Sequence, residues 1–493
     1  MRREIRFLRR GQQVQLSGRL PMLTLLEYLR VNEHAVGTKE GCAEGDCGAC
    51  TVVLRKRIDG KLHYQAVNSC ILLAGQADGA EVITVEDLAD GAILHPVQQR
   101  LVEQHGSQCG FCTPGFVMAL FALYHADRPE QLDRGAVNDW IAGNLCRCTG
   151  YRPIVEAALA ACRGPASDRF TAQERAVVKA LNAMQDDDDL FVGTEEQFFA
   201  APASVASLAK LYGANPDAVL LGGATDVGLW ITKKLQTLPK IIWLGRVPEL
   251  TEIEKGPGGL TLGAMVTHEA AIPYLTRIDP DLGELMRRFA GKQIRSVGTI
   301  GGNIANGSPI GDTPPALIAL GATLLLQKGK KQRTIPLEQF FVAYGKQDRA
   351  AGEFVRSVHV PKLKKNERFR CFKISKRFDQ DISAVMGAFK FTVQGSRITE
   401  ARIAFGGMAA TPKRAVHAER ALAGADFTNE ASWQPALAAL DRDYTPISDQ
   451  RAGAEYRATA ARAVLRKALV ELGGTSTQNT RIVGRREAAD VGA

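Results

Sequence analysis

The sequence has no long hydrophobic run. Its longest apolar stretch, near Ala316 to Leu326, is broken by Gly321 and is shorter than the 18 or more residues typical of a membrane-spanning helix. The N-terminal residues MRREIRFLRR are basic, but no apolar segment follows them, so they do not read as a secretory signal. We therefore expect a cytoplasmic protein without a membrane partner.

The chain also lacks a long tract of one charge sign. Its 62 Lys and Arg residues stand against 53 Asp and Glu residues, which leaves a formal net charge of +9. Basic proteins often bind nucleic acid, but here both signs are interspersed and no Lys/Arg tract contains interleaved aromatic residues. We expect a mildly basic surface and no nucleic-acid partner.

Cysteine is scarce, because ten residues among 493 are far below the density of a disulfide scaffold. In a reducing compartment, clustered cysteines are metal ligands more often than disulfide partners. Cys162 and Cys371 are isolated, and we interpret them as ordinary buried thiols. The other eight form two sets of four, which predict two neighbouring metal centres: Cys42, Cys47, Cys50 and Cys70, then Cys109, Cys112, Cys146 and Cys148.

The first set has the spacing C-x4-C-x2-C within GCAEGDCGAC, with a distant fourth cysteine. This is the spacing of plant-type ferredoxins, which bind a [2Fe–2S] cluster. The glycines of the loop permit positive φ angles and let backbone N–H groups approach the sulfurs. Zinc is the alternative, but zinc sites usually use two separate cysteine pairs.

The second set consists of the pairs in QCGFCTPGF and GNLCRCTGYRP. Each pair precedes a proline, Pro114 or Pro153, that suits the first turn of a helix. Helix N-termini carry partial positive charge and free N–H groups, which favour thiolates. The spacing of this set alone leaves zinc and iron–sulfur equally open.

Local patterns predict the element types around these motifs. Alternating polarity over residues 3–9 and a strand-like run on either side of Asp59-Gly60 predict two β-hairpins. Helical spacing over residues 85–163 predicts a four-helix domain. Later residues return to mixed strands and helices, with strands predicted at 370–375, 384–393 and 397–406. The polar residues after Gly473 predict a disordered tail.

Two glycine-rich segments follow the cysteine motifs. LLGGATDVG at residues 220–228 follows a predicted strand, and GTIGGNIANGSPIGD spans residues 298–312. Neither has the pattern G-x-G-x-x-G, so a Rossmann site is not supported. Either loop alone is most simply a tight turn, whereas together they could clamp a dinucleotide. A flavin suits a chain with iron–sulfur sites, because it exchanges one electron with clusters and two with a nicotinamide.

The motifs GCAEGDCGACTV, QCGFCTPG and GNLCRCTGYRPI resemble the paired iron–sulfur domains of molybdenum hydroxylases, the xanthine dehydrogenase and aldehyde oxidase family. The resemblance covers residues 3 to about 470. It implies an α+β multidomain fold with a plant-type ferredoxin-like β-grasp domain, a four-helix [2Fe–2S] domain, a two-subdomain, non-Rossmann α/β FAD-binding domain and a C-terminal α+β flavoprotein domain. The expected bounds are 1–84, 85–163, a linker at 164–194, 195–365, 366–475, and a tail at 476–493.

FAGKQIRSVGTIGGNIANGSPIGD is similar to the flavin-binding segment of the same family. The resemblance implies FAD contacts at two loops and at scattered positions. Some relatives have Asn at the position of Ala224 and Glu at that of Asp226, so one polar contact is absent here while the glycine turn is kept. The implied FAD residues are Leu220, Leu221, Gly222, Gly223, Ala224, Thr225, Asp226, Val227, Phe289, Thr299, Ile300, Gly301, Gly302, Asn303, Ser308, Asp312, Val355 and Lys373.

The segment KISKRFDQDISAV resembles the family's mobile loop beside the flavin, where access of NAD+ is controlled. The resemblance implies that Tyr344, Arg377 and Asp381 lie on the NAD+ side. A charged surface turn, with Asp379, is the alternative for the two loop residues.

By the same resemblance, the chain is similar to the small subunit of two-subunit bacterial members of the xanthine dehydrogenase type, because it ends after the flavin domain. The resemblance therefore implies a partner, a large molybdopterin-binding subunit, in a heterotetramer of two small and two large subunits. That partner would oxidise hypoxanthine and xanthine to urate in purine catabolism, and electrons would pass through the helical-domain cluster, the ferredoxin-like cluster and FAD to NAD+. No residue of this chain would take part in the hydroxylation. The alternatives are another hydroxylase of the family, such as an aldehyde or nicotinate dehydrogenase, a free-standing diaphorase-like carrier, and a structural zinc protein.

Overall fold

The computed structural model describes residues 1–18, 21–58, 60–128 and 132–484. Asp59 of the second predicted hairpin turn and residues 485–493 of the predicted tail lie outside the described residues. The described chain divides into two compact units. Unit 1 contains Met1–Pro248 and Ala290–Gly298, and unit 2 contains Glu249–Phe289 and the described residues from Thr299 onward.

Unit 1 begins with a five-stranded sheet in the order β2-β1-β5-β3-β4. Both predicted hairpin pairings are antiparallel, and β1 pairs with β5 in parallel. Thr24 accepts a hydrogen bond from the Glu27 backbone N–H and so caps a short helix, Leu25–Glu27, that continues as the π turn Tyr28–Asn32. Leu25 of this helix is fully buried in the hydrophobic core that the helix shares with the sheet. The strands are β1 Ile5–Arg9, β2 Gln12–Leu16, β3 Thr51–Ile58, β4 Lys61–Asn68 and β5 Glu81–Ile83.

A four-helix domain follows, as predicted. The second of its helices, Thr113–Tyr124, is the longest of the four, and its residues from Gly115 to Tyr124 are all buried. Pro114 and Pro153 each occupy the first turn of a helix, where their missing N–H costs nothing. The helices are Pro96–Glu103, Thr113–Tyr124, Arg134–Ile141 and Arg152–Ala161.

The segment predicted to be a linker contains helical structure. Two helices, Arg169–Ala172 and Glu174–Met184, occupy it. The second has an apolar face because Val177, Leu181 and Met184 are buried in one cluster with Leu8 of β1. This packing stabilises a helix whose own sequence signal is weak.

Unit 1 also holds a four-stranded sheet in the order β6-β7-β9-β8. Strands β7, β9 and β8 are parallel, whereas β6 and β7 are antiparallel. Buried residues of this sheet and of β1 to β5 form one hydrophobic core. The strands are β6 Leu190–Gly193, β7 Phe198–Ala201, β8 Val219–Leu221 and β9 Lys240–Trp243, and the helices are Val205–Ala214, Val227–Thr232 and Lys292–Arg295.

Unit 2 contains an antiparallel five-stranded sheet, β10-β11-β16-β12-β13, a four-stranded sheet, β17-β18-β19-β20, and the small pair β14-β15. The predicted apolar run near Ala316 divides at Gly321, whose φ of 83° ends a helix before β12 begins. The strands are β10 Ile253–Gly256, β11 Gly259–Gly263, β12 Thr323–Lys328, β13 Lys331–Pro336, β14 Phe341–Ala343, β15 Lys346–Gln347, β16 Phe354–Pro361, β17 Glu367–Ile374, β18 Val385–Gln394, β19 Arg397–Gly406 and β20 Lys413–Arg414.

The helices of unit 2 pack against these sheets. Within the described residues of the whole chain, no helix has both the length and the apolar character that crossing a bilayer requires. The helices are His268–Ile278, Pro280–Arg287, Ile300–Asn306, Thr313–Leu320, Leu337–Phe340, Val416–Leu422, Glu430–Asp443, Ala454–Leu472 and Thr477–Thr480.

The expectation of disorder after Gly473 is wrong for residues up to 484. Arg481 is buried and makes ion pairs with Asp281 and Glu471. A polar segment stays solvated unless its charged side chains find partners inside the fold. Here the carboxylates of Asp281 and Glu471 pair with Arg481 and hold the segment against unit 2.

Candidate iron–sulfur centres and flavin region

The first cysteine set converges at one end of the ferredoxin-like sheet. Cys50 immediately precedes β3, and Cys70 lies just after β4, so their sulfurs come within 3.2 Å. Cys42 and Cys47 lie on the preceding loop. Hydrogen bonding with the Cys47 and Cys70 side chains holds the pKa of Cys42 far below its usual range, and hydrogen bonding with Cys42 and Cys50 raises that of Cys70. The four thiols therefore form one interacting group.

The loop of the first set differs in part from the backbone that its glycines predict. Gly45 and Gly48 have positive φ angles of 79° and 70°, but Gly41 does not, and the non-glycine Ala43 has one of 55°. The backbone N–H groups of Asp46 and Cys47 donate to the Cys42 sulfur at 3.4 and 3.3 Å. Donors of this kind stabilise a thiolate and tune a cluster's reduction potential.

The second set gathers where two helices begin. Cys112 occupies the N-cap of Thr113–Tyr124, and Cys146 and Cys148 precede Arg152–Ala161. Burial and then a hydrogen bond with Cys146 raise the pKa of Cys112 to about 12, and a hydrogen bond with Cys109 raises that of Cys148. Cys112 also interacts electrostatically with Cys109, and Cys148 with Cys146, so all four positions are linked. Cys109 and Cys148 are exposed, whereas Cys50 and Cys70 of the first set are buried.

The spread of the sulfurs distinguishes one metal ion from two. A tetrahedral zinc ion with Zn–S bonds of about 2.3 Å holds its sulfurs within about 3.8 Å of one another. In the part of the chain that the structure describes, the one group of three or more candidate ligand atoms within 4.8 Å of each other is His95, His125 and Asp168. No three sulfurs of either set are that close. This spread favours a two-iron cluster over zinc in both sets.

The group of His95, His125 and Asp168 is held by hydrogen bonds. Both imidazole Nε2 atoms lie at 2.7 and 2.9 Å from the same Asp168 oxygen. His95 Nδ1 accepts the Val97 backbone N–H, so its Nε2 carries the proton and donates to Asp168. A nitrogen that carries a proton cannot ligate a metal, and this group needs no metal to explain it.

The two ligand loops are in backbone contact within unit 1. The Leu145 N–H, next to Cys146, donates to the Cys47 carbonyl at 2.9 Å. Gly115 lies against the Gly48 carbonyl, where an added Cβ would come within 2.2 Å. The two candidate centres are therefore neighbours, as the sequence predicts.

The first glycine loop connects β8 to the helix Val227–Thr232 in unit 1. Ala224 has a positive φ of 62°, and a Cβ on Gly223 would lie 1.9 Å from the Val297 carbonyl. The Asp226 carboxylate accepts a hydrogen bond from the Trp230 indole at 2.8 Å. The loop thus has the tight turn that the glycines predict, with its acidic side chain engaged locally.

The second glycine loop is in unit 2. Thr299 caps the helix Ile300–Asn306 by accepting the Gly302 N–H at 3.0 Å. Asn303 accepts a hydrogen bond from Thr313 at 2.5 Å. A Cβ on Gly301 would meet Ala264 at 2.5 Å, so this helix lies directly on the backbone after β11.

Asp312 and Lys373, both implied by the resemblance, form a buried ion pair. Lys373 Nζ lies 2.5 Å from Asp312, and Ser383 bonds to both at 2.9 and 2.5 Å. Sequence reasoning missed Ser383, although it lies in the quoted segment KISKRFDQDISAV. This triad gives unit 2 a buried charged cluster that includes two of the implied FAD positions.

The other implied FAD residues of unit 2 are also located. Val355 is buried in β16, and Phe289 lies 4.4 Å from the ring of His268. Ser308 accepts the Ile310 N–H at 3.4 Å. The implied FAD positions therefore fall partly in unit 1, at Leu220 to Val227, and partly in unit 2.

The implied NAD+-side residues are exposed. Tyr344 has 74% of its surface accessible. The Arg377 N–H donates to the Asp381 carboxylate at 2.8 Å, and their side chains pair at 3.5 Å. Despite partial burial, these contacts lower the pKa of Asp381. A charged surface turn explains the same contacts, so the role in NAD+ access stays a prediction.

Four family descriptions match parts of the chain. Residues 8–74 match the "2Fe-2S iron-sulfur cluster binding domain", and residues 84–159 match the "[2Fe-2S] binding domain". Residues 194–363 match the "FAD binding domain in molybdopterin dehydrogenase", and residues 370–472 match the "CO dehydrogenase flavoprotein C-terminal domain". The four matches agree with the implied multidomain fold.

Whole-chain relatives agree with these matches. The chain is 33% identical to xanthine dehydrogenase of Emericella nidulans, with 89% of this chain and 36% of that protein covered. It is 35% identical to the xanthine dehydrogenase of Drosophila subobscura (81% and 34%) and 33% identical to xanthine dehydrogenase/oxidase of Rattus norvegicus (82% and 34%). The chain thus spans about a third of the length of these curated relatives.

Two solved structures resemble a little more than half of the chain. Carbon monoxide dehydrogenase from Hydrogenophaga pseudoflava matches with a TM-score of 0.53 and 29% identity, covering 55% of this chain and 95% of that one. Quinoline 2-oxidoreductase from Pseudomonas putida 86 matches with a TM-score of 0.51 and 26% identity, covering 55% and 94%. The chain therefore corresponds to the iron–sulfur and FAD-binding region of the molybdenum hydroxylases, with two 2Fe-2S domains, an FAD-binding domain and a flavoprotein C-terminal domain.

Proposed function

We propose that the chain is the electron-transfer subunit of a xanthine dehydrogenase. The observation that carries the proposal is the pair of complete cysteine sets with touching ligand loops, on one chain with the FAD-binding domain. When bound, two [2Fe–2S] clusters and FAD would carry electrons from hypoxanthine or xanthine oxidation on a molybdopterin-binding partner to NAD+. The residues of this chain hold those groups, shield them and set their potentials.

The order of the centres is supported by their surroundings in unit 1. Thr232, on the helix that follows the first glycine loop, donates to the Ala43 carbonyl of the first cysteine loop at 2.6 Å. A Cβ on Gly228 of the same helix would meet the Ile71 carbonyl at 2.6 Å. The first centre therefore lies against the segment implied for FAD, so we assign it as the electron donor to the flavin.

The second centre suits the role of entry point. Cys109 and Cys148 are exposed, and so are the neighbouring apolar side chains of Phe111 (49%) and Leu145 (39%). Exposed apolar residues beside a redox centre favour docking of a partner. We propose that the molybdopterin-binding subunit docks here, in a heterotetramer of two small and two large subunits, and that the thiolates are kept reduced in the cytoplasm.

A second candidate is the same role in another molybdenum hydroxylase, such as an aldehyde or nicotinate dehydrogenase. The similarity to carbon monoxide and quinoline enzymes at 26–29% identity favours keeping this candidate. Xanthine dehydrogenases are preferred because they align with 81% or more of the chain in a single match. Substrate screening of the complex with its co-purified large subunit separates the two candidates, and oxidation of an aldehyde or nicotinate but not xanthine would select the second.

Replacement of one ligand tests the electron path. We expect Cys47→Ser to lower the iron content from about four to about two atoms per chain, because a [2Fe–2S] cluster needs four thiolates. FAD should stay bound while xanthine-dependent NADH formation stops. The control is Cys162→Ser, a buried cysteine outside both sets, which should keep all its iron.

Three results would contradict the proposal. They are normal turnover of Cys47→Ser with unchanged iron, a colourless preparation that holds zinc and no iron, and full activity of the lone chain without a partner. The last would favour a diaphorase-like carrier.

A further inference from the structure

The buried amide of Gln293 forms hydrogen bonds with both cysteine loops. Gln293 is 1% exposed on the short helix Lys292–Arg295 of unit 1. Its Nε2 donates to the Asn144 side-chain oxygen at 2.7 Å and to Thr51 Oγ1 at 3.2 Å. Thr51 directly follows Cys50, and Asn144 lies two residues before Cys146. One side chain from a distant segment thus bonds beside a ligand of each candidate cluster.

The hydrogen bonds continue to the backbone of the first loop. Thr51 Oγ1 donates to the Gly48 carbonyl at 2.6 Å, and Asn144 Nδ2 donates to the same carbonyl at 3.0 Å. Thr51 and Asn144 are 1% and 2% exposed. Because water does not compete at such buried sites, the bonds are directional, and losing one leaves a buried polar atom without a partner.

Glycines allow the loops and Gln293 to approach this closely. An added Cβ on Gly48 would lie 2.2 Å from the Gly143 carbonyl, and one on Gly143 would lie 1.8 Å from Gln293 Oε1. The next residue, Ile294, packs with the buried ligands Cys50 and Cys70. Steric contact at these glycines therefore limits how closely the two loops can approach each other. The side chains of Gln293, Thr51 and Asn144 fix the position of one loop relative to the other.

We infer that Gln293 is a positioning residue, whose amide holds the two clusters at one separation and orientation. The inference rests on the proposed function, in which electrons pass between two [2Fe–2S] clusters. The electron-transfer rate falls steeply with distance, and the magnetic interaction between two reduced clusters falls with the cube of the distance. If the two loops shift relative to each other, both the electron-transfer rate and the magnetic interaction between the clusters therefore change.

Replacement of Gln293 by methionine removes the hydrogen bonds and keeps the length of the side chain. The full chain, purified with its clusters and reduced with dithionite, is examined by low-temperature electron paramagnetic resonance with an iron count. We expect Gln293→Met to keep about four iron atoms and both cluster signals, but to lose the resolved splitting from the spin interaction between clusters. The matched control is Gln327→Met, since Gln327 is a buried glutamine of unit 2 that bonds to Gly329 and Arg356. Its splitting should equal that of wild type.

A second pair of variants decides the question if Gln293→Met loses iron. Thr51→Val removes the hydroxyl that Gln293 contacts, and Thr51→Ser keeps it. We expect broadened or absent splitting in the valine variant and wild-type splitting in the serine variant. Equal splitting in this pair, or unchanged splitting in an iron-replete Gln293→Met, overturns the inference alone. Wild-type protein without iron overturns the proposed function as well.

Discussion

Arg481 should anchor the C-terminal segment of unit 2 through buried charge. Its guanidinium lies 2.6 and 3.0 Å from the two Asp281 oxygens and 2.8 and 2.5 Å from those of Glu471. The side chains of these residues are 5%, 2% and 0% exposed. Although burial opposes it, hydrogen bonding with Glu471 and Asp281 raises the pKa of Arg481 above its usual value. The replacement Arg481→Met removes this charge and keeps most of the side-chain volume.

The cost of Arg481→Met comes from the carboxylates left behind. Removal of one partner from a buried ion pair costs about 3–5 kcal/mol, because the remaining charge is buried and unpaired. Glu471 keeps a second guanidinium, since Arg370 Nε lies 3.1 Å away. Asp281 keeps its hydrogen bond from the Cys371 backbone N–H at 3.2 Å. Because both carboxylates retain partners, we expect a cost near the lower limit, about 3 kcal/mol.

The assay is native-state hydrogen exchange in the helix Ala454–Leu472, which carries Glu471, because a chain of several domains does not unfold in one step. The control is Arg466→Met on the same helix. Arg466 pairs with Glu430 at 2.7 Å, with side chains 57% and 45% exposed, and should cost at most about 1 kcal/mol. Adding Asp281→Asn to Arg481→Met should recover part of the loss. Equal opening free energies for the two arginine variants would refute the reasoning.

Two further predictions concern unit 1. Burial lowers the pKa of His125 in the folded protein below its unfolded value of about 6.5. Just below that pH the unfolded state therefore binds more protons than the folded state. The free energy of unfolding should then fall as the pH falls from about 7.5 to about 5.5. A His125→Gln variant should show a flatter dependence in thermal unfolding at several pH values, and an identical slope would contradict the assignment. Gly115→Ala should destabilise the second cluster site by about 1–3 kcal/mol and release iron, because its Cβ would lie 2.2 Å from the Gly48 carbonyl. Gly213→Ala, in another helix with nothing within 4 Å, should be neutral or stabilising, and equal iron contents in both variants would show that the loops can move apart.

Much of the fold follows from patterns that act over a few residues. The predicted strands 384–393 and 397–406 correspond to β18 and β19 within one residue, because both segments are rich in β-branched and aromatic residues, which favour strands. Pro114 and Pro153 predicted the starts of two helices, and each proline lies in the first turn of its helix. Cysteine spacing predicted both ligand sets, since three ligands of the first set lie on one loop whose glycines set its curvature.

The tertiary structure decided what depends on residues far apart in the sequence. The helix Glu174–Met184 owes its place to Leu8, and the segment after Gly473 is held by Asp281, about 200 residues earlier. Ser383 and Gln293 carried no local signal, because a buried polar residue is recognised only by the partners that satisfy it. Short-range chemistry therefore determined which groups this protein can bind. Long-range packing determined how its cysteine loops are held together, because hydrogen-bond partners such as Gln293 and Thr51 meet only after the chain has folded.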